Sequence, residues 1–130
     1  ICHPALLGSF VAHPSIGIAH GVLFGQLVRL AGADATIFPS YGGRFSFSEG
    51  ECREIIAGAT GPMGSLAPIF PGPAGGMSLG RVPELAAFYG PDTMLVIGGD
   101  LHRSGDVERS GREFVAAVQR FFADPSRSPV

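Results

Sequence analysis

Short apolar runs, glycine-rich polar stretches and amphipathic segments follow one another three times along the chain, at a spacing of roughly thirty residues. This alternation predicts β-loop-α units feeding a parallel sheet, because strands buried on both faces read as continuous apolar runs. The first predicted strand is residues 35–38, followed by a loop over 39–47. A helix then starts at Ser48, with Glu51 placed to complete a capping box, and Gly58 and Gly61 stop it near Ala59. A second strand is predicted at 67–70, with a loop over 71–78 and a helix whose inward face is Val82, Leu85, Ala86 and Tyr89; Gly90 and Pro91 end it. The last strand is predicted at 94–97, followed by Gly98, Gly99 and Asp100. A helix from Asp106 to Phe122 comes next, with an apolar stripe of Phe114, Val115, Val118, Phe121 and Phe122.

Ahead of these units lies a half unit. His3 stands near the end of a strand, and residues 21–30 form a helix that turns Val22, Leu23, Leu27 and Leu30 toward the sheet. The fold class is therefore α/β, about three and a half βα units, read as the C-terminal part of a parallel (β/α)8 TIM barrel, since a closed barrel takes about 250 residues. The expected domain is residues 1–123, with a tail over 124–130. The opening Ile1-Cys2-His3-Pro4, without a methionine or a helix cap, suggests a segment of something longer.

Composition narrows the function. With 45% hydrophobic and 15% charged residues the chain can bury a core, and a formal net charge of -2 without a basic run argues against nucleic acid as the partner. All nine basic residues are arginine, so Schiff-base chemistry, a lysine carbamate or a lysine base would come from elsewhere. Cys2 and Cys52 form no C-x-x-C pair and read as reduced, structurally buried thiols of a cytoplasmic protein. No apolar run reaches the roughly 18 residues of a membrane span. A small molecule is the expected partner.

In parallel α/β proteins ligands bind beyond the carboxyl ends of the strands, and there this sequence is rich in glycine. Ala74-Gly75-Gly76 and Gly98-Gly99 offer backbone amides that can approach phosphate oxygens without a Cβ in the way, or else make tight turns. Tyr41-Gly42-Gly43-Arg44-Phe45 could hinge and deliver the charge of Arg44 to an anionic substrate, or be an ordinary surface loop. His3 is a candidate general acid or base, or a structural imidazole. His13, His20 and His102 have no metal-ligand spacing, so no metal site is assigned to this chain. His102 is a weaker substrate-contact candidate. Asp100 would repel phosphate, and suits a hydrogen bond within the loop or to a sugar hydroxyl.

Taken together, residues 27–34, the Tyr41 to Phe45 loop, Ala74-Gly75-Gly76 with Pro83-Glu84-Leu85, and Phe88-Tyr89-Gly90 leading to Ile97-Gly98-Gly99 resemble the RuBisCO large-chain family, in order and spacing from His3 to about Arg120. The resemblance implies that His3 is the active-site histidine after the fifth strand, and that Arg44 stands where carboxylases keep the lysine of the closing sixth loop. It implies that Gly76, Gly98 and Gly99 hold one substrate phosphate beside Gly75. Ala74 replaces a substrate-contacting serine, Pro4 an arginine that grips the second phosphate, and Asp100 a third glycine. These departures point to a RuBisCO-like protein rather than a true carboxylase, and the run from Phe38 to Phe47 looks typical of such proteins.

The resemblance implies an enolase, isomerase, decarboxylase or transcarboxylase acting on a phosphorylated keto-sugar or related compound through a magnesium-stabilised enediolate. The Mg2+ ligands, a carbamylated lysine with an aspartate and a glutamate, are expected upstream of this segment, so this segment alone should be inactive. A homodimer is expected for the full-length protein. The alternatives are a true ribulose-bisphosphate carboxylase, a non-catalytic sugar-phosphate binding protein of the same fold, and a free-standing flavodoxin-like domain.

Overall fold

A computed structural model describes residues 1–5, 7–11, 13, 15–45 and 47–124. The expected tail beyond Asp124 and Ser46 of the second loop lie outside the described residues. Strand β1 (Ala35–Pro39) pairs in parallel with β2 (Phe70–Ala74), in a register running from Ala35 opposite Phe70 to Pro39 opposite Ala74. Single parallel bridges extend the order on both sides, Cys2 to Thr36 and Ala74 to Val96. Four successive segments thus run the same way in chain order, and the chain leaves each at the same end of the sheet.

β1 forms as expected from its apolar run. β2 lies three residues later than expected, in a sequence, Phe-Pro-Gly-Pro-Ala, that reads as a loop. The prolines explain how this strand is tolerated and what it costs. In a parallel strand alternate residues direct both backbone groups to the same neighbour. The carbonyls of Pro71 and Pro73 accept from the N–H groups of Met94 and Val96, at 2.9 and 3.1 Å. Prolines give no N–H in return, so the 94–97 segment receives only half a ladder. The strand expected there is therefore reduced to the one bridge at Val96.

Helix α1 opens as a π-helix over Gly21–Gln26 and continues as α-helix over Leu27–Leu30. The wide turn shifts its helical phase. Leu23, Phe24 and Val28 are buried, whereas Leu27 and Leu30 are 44% and 62% exposed, against the expected inward face. Helix α2 (Glu49–Thr60) carries the expected capping box: the Ser48 hydroxyl takes the Glu51 N–H, and the Glu51 carboxylate takes the Ser48 N–H at 2.6 Å. That N–H, chiefly, holds the Glu51 carboxyl below the usual carboxylate range.

α1 crosses α2 at bare backbone. A Cβ on Gly25 would lie 2.6 Å from the Gly58 carbonyl carbon, and one on Gly58 would run into the Gly21 carbonyl oxygen. Gly58 is thus a contact inside the helix and not its stop; Gly61 is the C-cap. Buried Arg29 donates to the carbonyls of Gly58 and Gly61 at 3.1 and 2.8 Å, satisfying groups at the end of α2, and to the Leu66 carbonyl of the following loop at 2.9 Å.

A short 3-10 turn, Leu79–Arg81, leads into α3 (Val82–Tyr89), which buries Val82, Leu85, Ala86 and Tyr89 as its spacing predicts. One helical turn, α4 (Gly99–His102), precedes α5 (Val107–Ala123), capped by the Asp106 side chain on the Arg109 N–H. α5 packs against α3 by a narrower face than expected. Phe121 is buried, but Val115 and Phe122 remain 53% and 38% exposed. The main core, Leu23, Phe24, Phe38, Cys52, Ile55, Met77, Leu85 and Tyr89, joins α1, β1, α2 and α3 beneath the loops that follow the strands. No helix among the described residues is long and apolar enough to cross a membrane.

Gly58→Ala sets two effects against each other. Alanine is favoured in a helix interior by about 1 kcal/mol, while overpacking a close contact costs roughly 1–3 kcal/mol and more where backbone must move. Because the new methyl meets a main-chain carbonyl, the clash should win. A lowered denaturation midpoint of the full protein is expected, and an unchanged or raised one would show that the helices can separate freely.

Candidate functional site

Where the chain leaves the aligned segments, its loops enclose a cavity of about 440 Å³. The segment after Cys2 contributes His3 and Pro4, the loop after β1 contributes Gly43 and Arg44, and the end of β2 with its loop contributes Ala74, Gly75 and Gly76. Phe24, Phe38 and Phe45 give the cavity an apolar wall. Five of the residues singled out in the sequence, His3, Arg44, Ala74, Gly75 and Gly76, therefore face one space.

Gly98 and Gly99 do not line that cavity. They stand at the same sheet end, just past the Val96 bridge, where Gly98 caps α4. Among the described residues, no protein carbonyl takes the N–H of Gly76, Gly98 or Gly99 in a hydrogen bond. Asp100 faces away from such a role. Its carboxylate accepts the Leu79 N–H at 3.0 Å and pairs with Arg103 at 3.3 Å, so it ties the last loop to the start of the 3-10 turn.

The loops after β1 and β2 meet glycine on glycine. Gly76 has φ +67°, and a Cβ there would lie 2.6 Å from the Gly43 Cα. Both the backbone conformation and the close approach require glycine. Beneath this contact the Ser40 and Tyr89 hydroxyls share a buried hydrogen bond of 3.0 Å. Cys52 is fully buried nearby, its thiol pushed up by burial, in keeping with a structural role.

Electrostatically, the cavity rim separates two arginines. Arg44 is exposed, with its guanidinium 5.1 Å from the centre of the Phe45 ring and no carboxylate partner among the described residues. Arg81 lies beside the glycine contact and is paired with Glu84. The sequence reading passed over Arg81. The one available signal was its spacing of three residues from Glu84, an ordinary surface pair on a helix. His20 lies 3.5 Å from Glu51 and packs edge-on against Phe47, and it does not line the cavity. No group of three or more His, Cys, Asp or Glu side chains among the described residues could hold a metal ion. These residues do not fit a magnesium site.

No family model matches the sequence. Among curated proteins, the chain is 48% identical over 115 residues to a 5-methylthioribulose-1-phosphate isomerase of Rhodospirillum rubrum, an overlap of 85% of this chain and 31% of that protein. It is 42% identical over 100 residues to a 2,3-diketo-5-methylthiopentyl-1-phosphate enolase of Exiguobacterium sibiricum, covering 77% of this chain and 25% of the relative. Among solved structures, a rubisco-like protein of Alicyclobacillus acidocaldarius is similar at TM-score 0.83 and 34% identity, over 93% of this chain and 31% of that one. An octameric Rubisco of Pyrococcus horikoshii reaches TM-score 0.79 at 20% identity over 93% of this chain and 28% of that one, a likeness of fold alone. The chain spans 31% or less of the length of these curated relatives.

Burial, with the Glu84 carboxylate alongside, pushes the Tyr41 phenol up to about 12. An unfolded tyrosine ionises near 10, so the folded chain keeps a proton that the unfolded chain gives up. The resulting stability is fully present below about pH 10 and is lost as pH rises toward 12. The melting-point advantage of the wild type over Tyr41→Phe should therefore shrink between about pH 10 and pH 12. A constant difference would show that Tyr41 titrates as an exposed phenol.

Proposed function

The chain belongs to the RuBisCO superfamily, on its RuBisCO-like side, and from that premise we propose that the protein carrying it is an enolase- or isomerase-type enzyme acting on a phosphorylated keto-sugar or a related compound through an enediolate. In this reading the segment forms the last strands of a (β/α)8 barrel, and the loops described above are part of its active face. The observation that carries the proposal is the convergence of His3, Arg44 and the Gly75-Gly76 turn on one cavity at the carboxyl end of parallel strands.

Each group has work suited to it. The N–H groups of Gly76, Gly98 and Gly99 are donors for the oxygens of a phosphate ester, with Gly75 allowing the turn and Ala74 leaving space beside it. Arg44 supplies a positive charge to the anionic substrate from a loop able to move. His3 moves a proton at the carbon or oxygen of the keto-sugar. Phe24, Phe38 and Phe45 give the cavity an apolar side against which the carbon chain of the substrate can pack. Magnesium belongs to this reading as an ion held by residues outside this chain, so none of these roles is routed through it. A homodimer in the cytoplasm is likewise part of the proposal for the whole protein.

Pro4 and Arg44, in place of an arginine and a lysine of carboxylases, weigh against carboxylation. The relatives' names suggest the compounds to try. The full protein with Mg2+ should convert 5-methylthioribulose 1-phosphate or 2,3-diketo-5-methylthiopentyl 1-phosphate and fail to carboxylate ribulose bisphosphate. His3→Gln should then lower turnover by roughly 100-fold or more. Carboxylase activity would replace the proposal with the first alternative, and tight binding of both esters without turnover would favour the non-catalytic one.

Gly76→Ala tests the phosphate turn separately. A methyl 2.6 Å from the Gly43 Cα, on a residue at φ +67°, must move the turn. The expected outcome is a KM raised by about tenfold or more for the phosphorylated substrate. An unchanged KM would remove the turn from the binding site.

A further inference from the structure

Arg81 makes contacts out of proportion to an ordinary surface residue. One guanidinium nitrogen donates to the Gly76 carbonyl at 3.1 Å and to the Tyr41 carbonyl at 3.4 Å, and the guanidinium lies 5.2 Å from the centre of the Tyr41 ring. The other two nitrogens reach the Glu84 carboxylate in a fork, at 3.1 and 2.7 Å. The side chain is 24% exposed, so the pair is neither free in solvent nor fully desolvated. Arg81 begins no strand or loop of the site. It reaches back from the foot of α3 to both glycine loops at once.

These contacts fix what the loops cannot fix for themselves. Tyr41 packs on Phe88 and Met77 is buried in the core, which anchors one side of each turn, but Gly42, Gly43, Gly75 and Gly76 between these anchors carry no side chains to fix the turns themselves. A guanidinium is suited to this task because its donors lie in one rigid plane, where an ammonium offers a point charge. With its charge met by Glu84, Arg81 orders the loops without competing with Arg44 for an anion. We infer that Arg81, held in place by Glu84, is a positioning residue that latches the loop after β1 to the turn after β2 and so sets the relative placement of Arg44 and the Gly75-Gly76 donors.

The inference rests on the functional reading above for its effect on catalysis, but the latch itself can be measured without substrate. In the full protein, Arg81→Ala should speed amide hydrogen exchange over residues 41–45 and 75–78 while leaving α2 protected. It should raise KM for the phosphorylated keto-sugar about tenfold, with kcat changed less than about threefold, as expected for lost ground-state binding. Arg81→Lys should behave as Arg81→Ala does, because lysine lacks the fork, and millimolar guanidinium ion should return part of the lost affinity to Arg81→Ala. Unchanged exchange in both loops, or faster exchange extending through α2, would overturn the latch, the first by showing no restraint and the second by showing general stabilisation. If the wild type neither turns over nor binds phosphorylated keto-sugars but the loops loosen selectively, the latch stands and the functional reading falls. If the wild type is active and Arg81→Ala loosens the loops without changing KM, the positioning role is refuted and the functional reading stands.

Discussion

The parallel register between β1 and β2 decides where the candidate site sits. Pairing Ala35 with Phe70 through Pro39 with Ala74 brings both strands out at the same end of the sheet, and the flanking bridges at Cys2 and Val96 bring two more segments out beside them. A shift of one residue in this pairing would turn Phe38 out of the core. It would also separate Gly43 from Gly76. The strand pair is stabilised from outside the sheet, since prolines at 71 and 73 remove donors that would normally bind the next strand. The core formed by Phe24, Phe38, Ile55, Leu85 and Tyr89 supplies that support.

From this base, glycine does two different jobs. At the crossing of α1 and α2, Gly21, Gly25 and Gly58 let main chains touch, which sets the helix layer close against itself. At the top of the sheet, Gly43 and Gly76 let two loops touch, which places an arginine and a set of backbone donors around one cavity. The first contact is structural. The second belongs to the candidate site, where glycine leaves the turns themselves without side chains, and Arg81 donates to a carbonyl in each loop.

Much of this was legible in the sequence because it depends on local pattern. The run at 35–38, the Ser48 and Glu51 capping box, the inward face of α3 and the start of α5 at Asp106 all follow from periodicity and capping, which act within a few residues. The loops carrying His3, Arg44 and Gly75-Gly76 could be placed for the same reason: they follow apolar runs. What was not legible depends on distant partners. β2 hides in a proline-rich sequence that only its neighbours can hold extended. The π turn in α1 answers to glycines facing α2, and Gly58 looks like a helix stop until Gly21 is seen against it. Arg29 and Arg81 act through carbonyls far away in sequence, which no spacing rule reveals.

The central claim is that the glycine turns at the ends of neighbouring parallel segments grip the phosphate of a sugar ester. A crystal structure of the full protein with 5-methylthioribulose 1-phosphate bound tests it most directly. The account predicts phosphate oxygens within hydrogen-bonding distance of the Gly76, Gly98 and Gly99 amides, with the sugar carbons in the cavity beside His3. An ester bound elsewhere, with those amides facing only solvent, would contradict it.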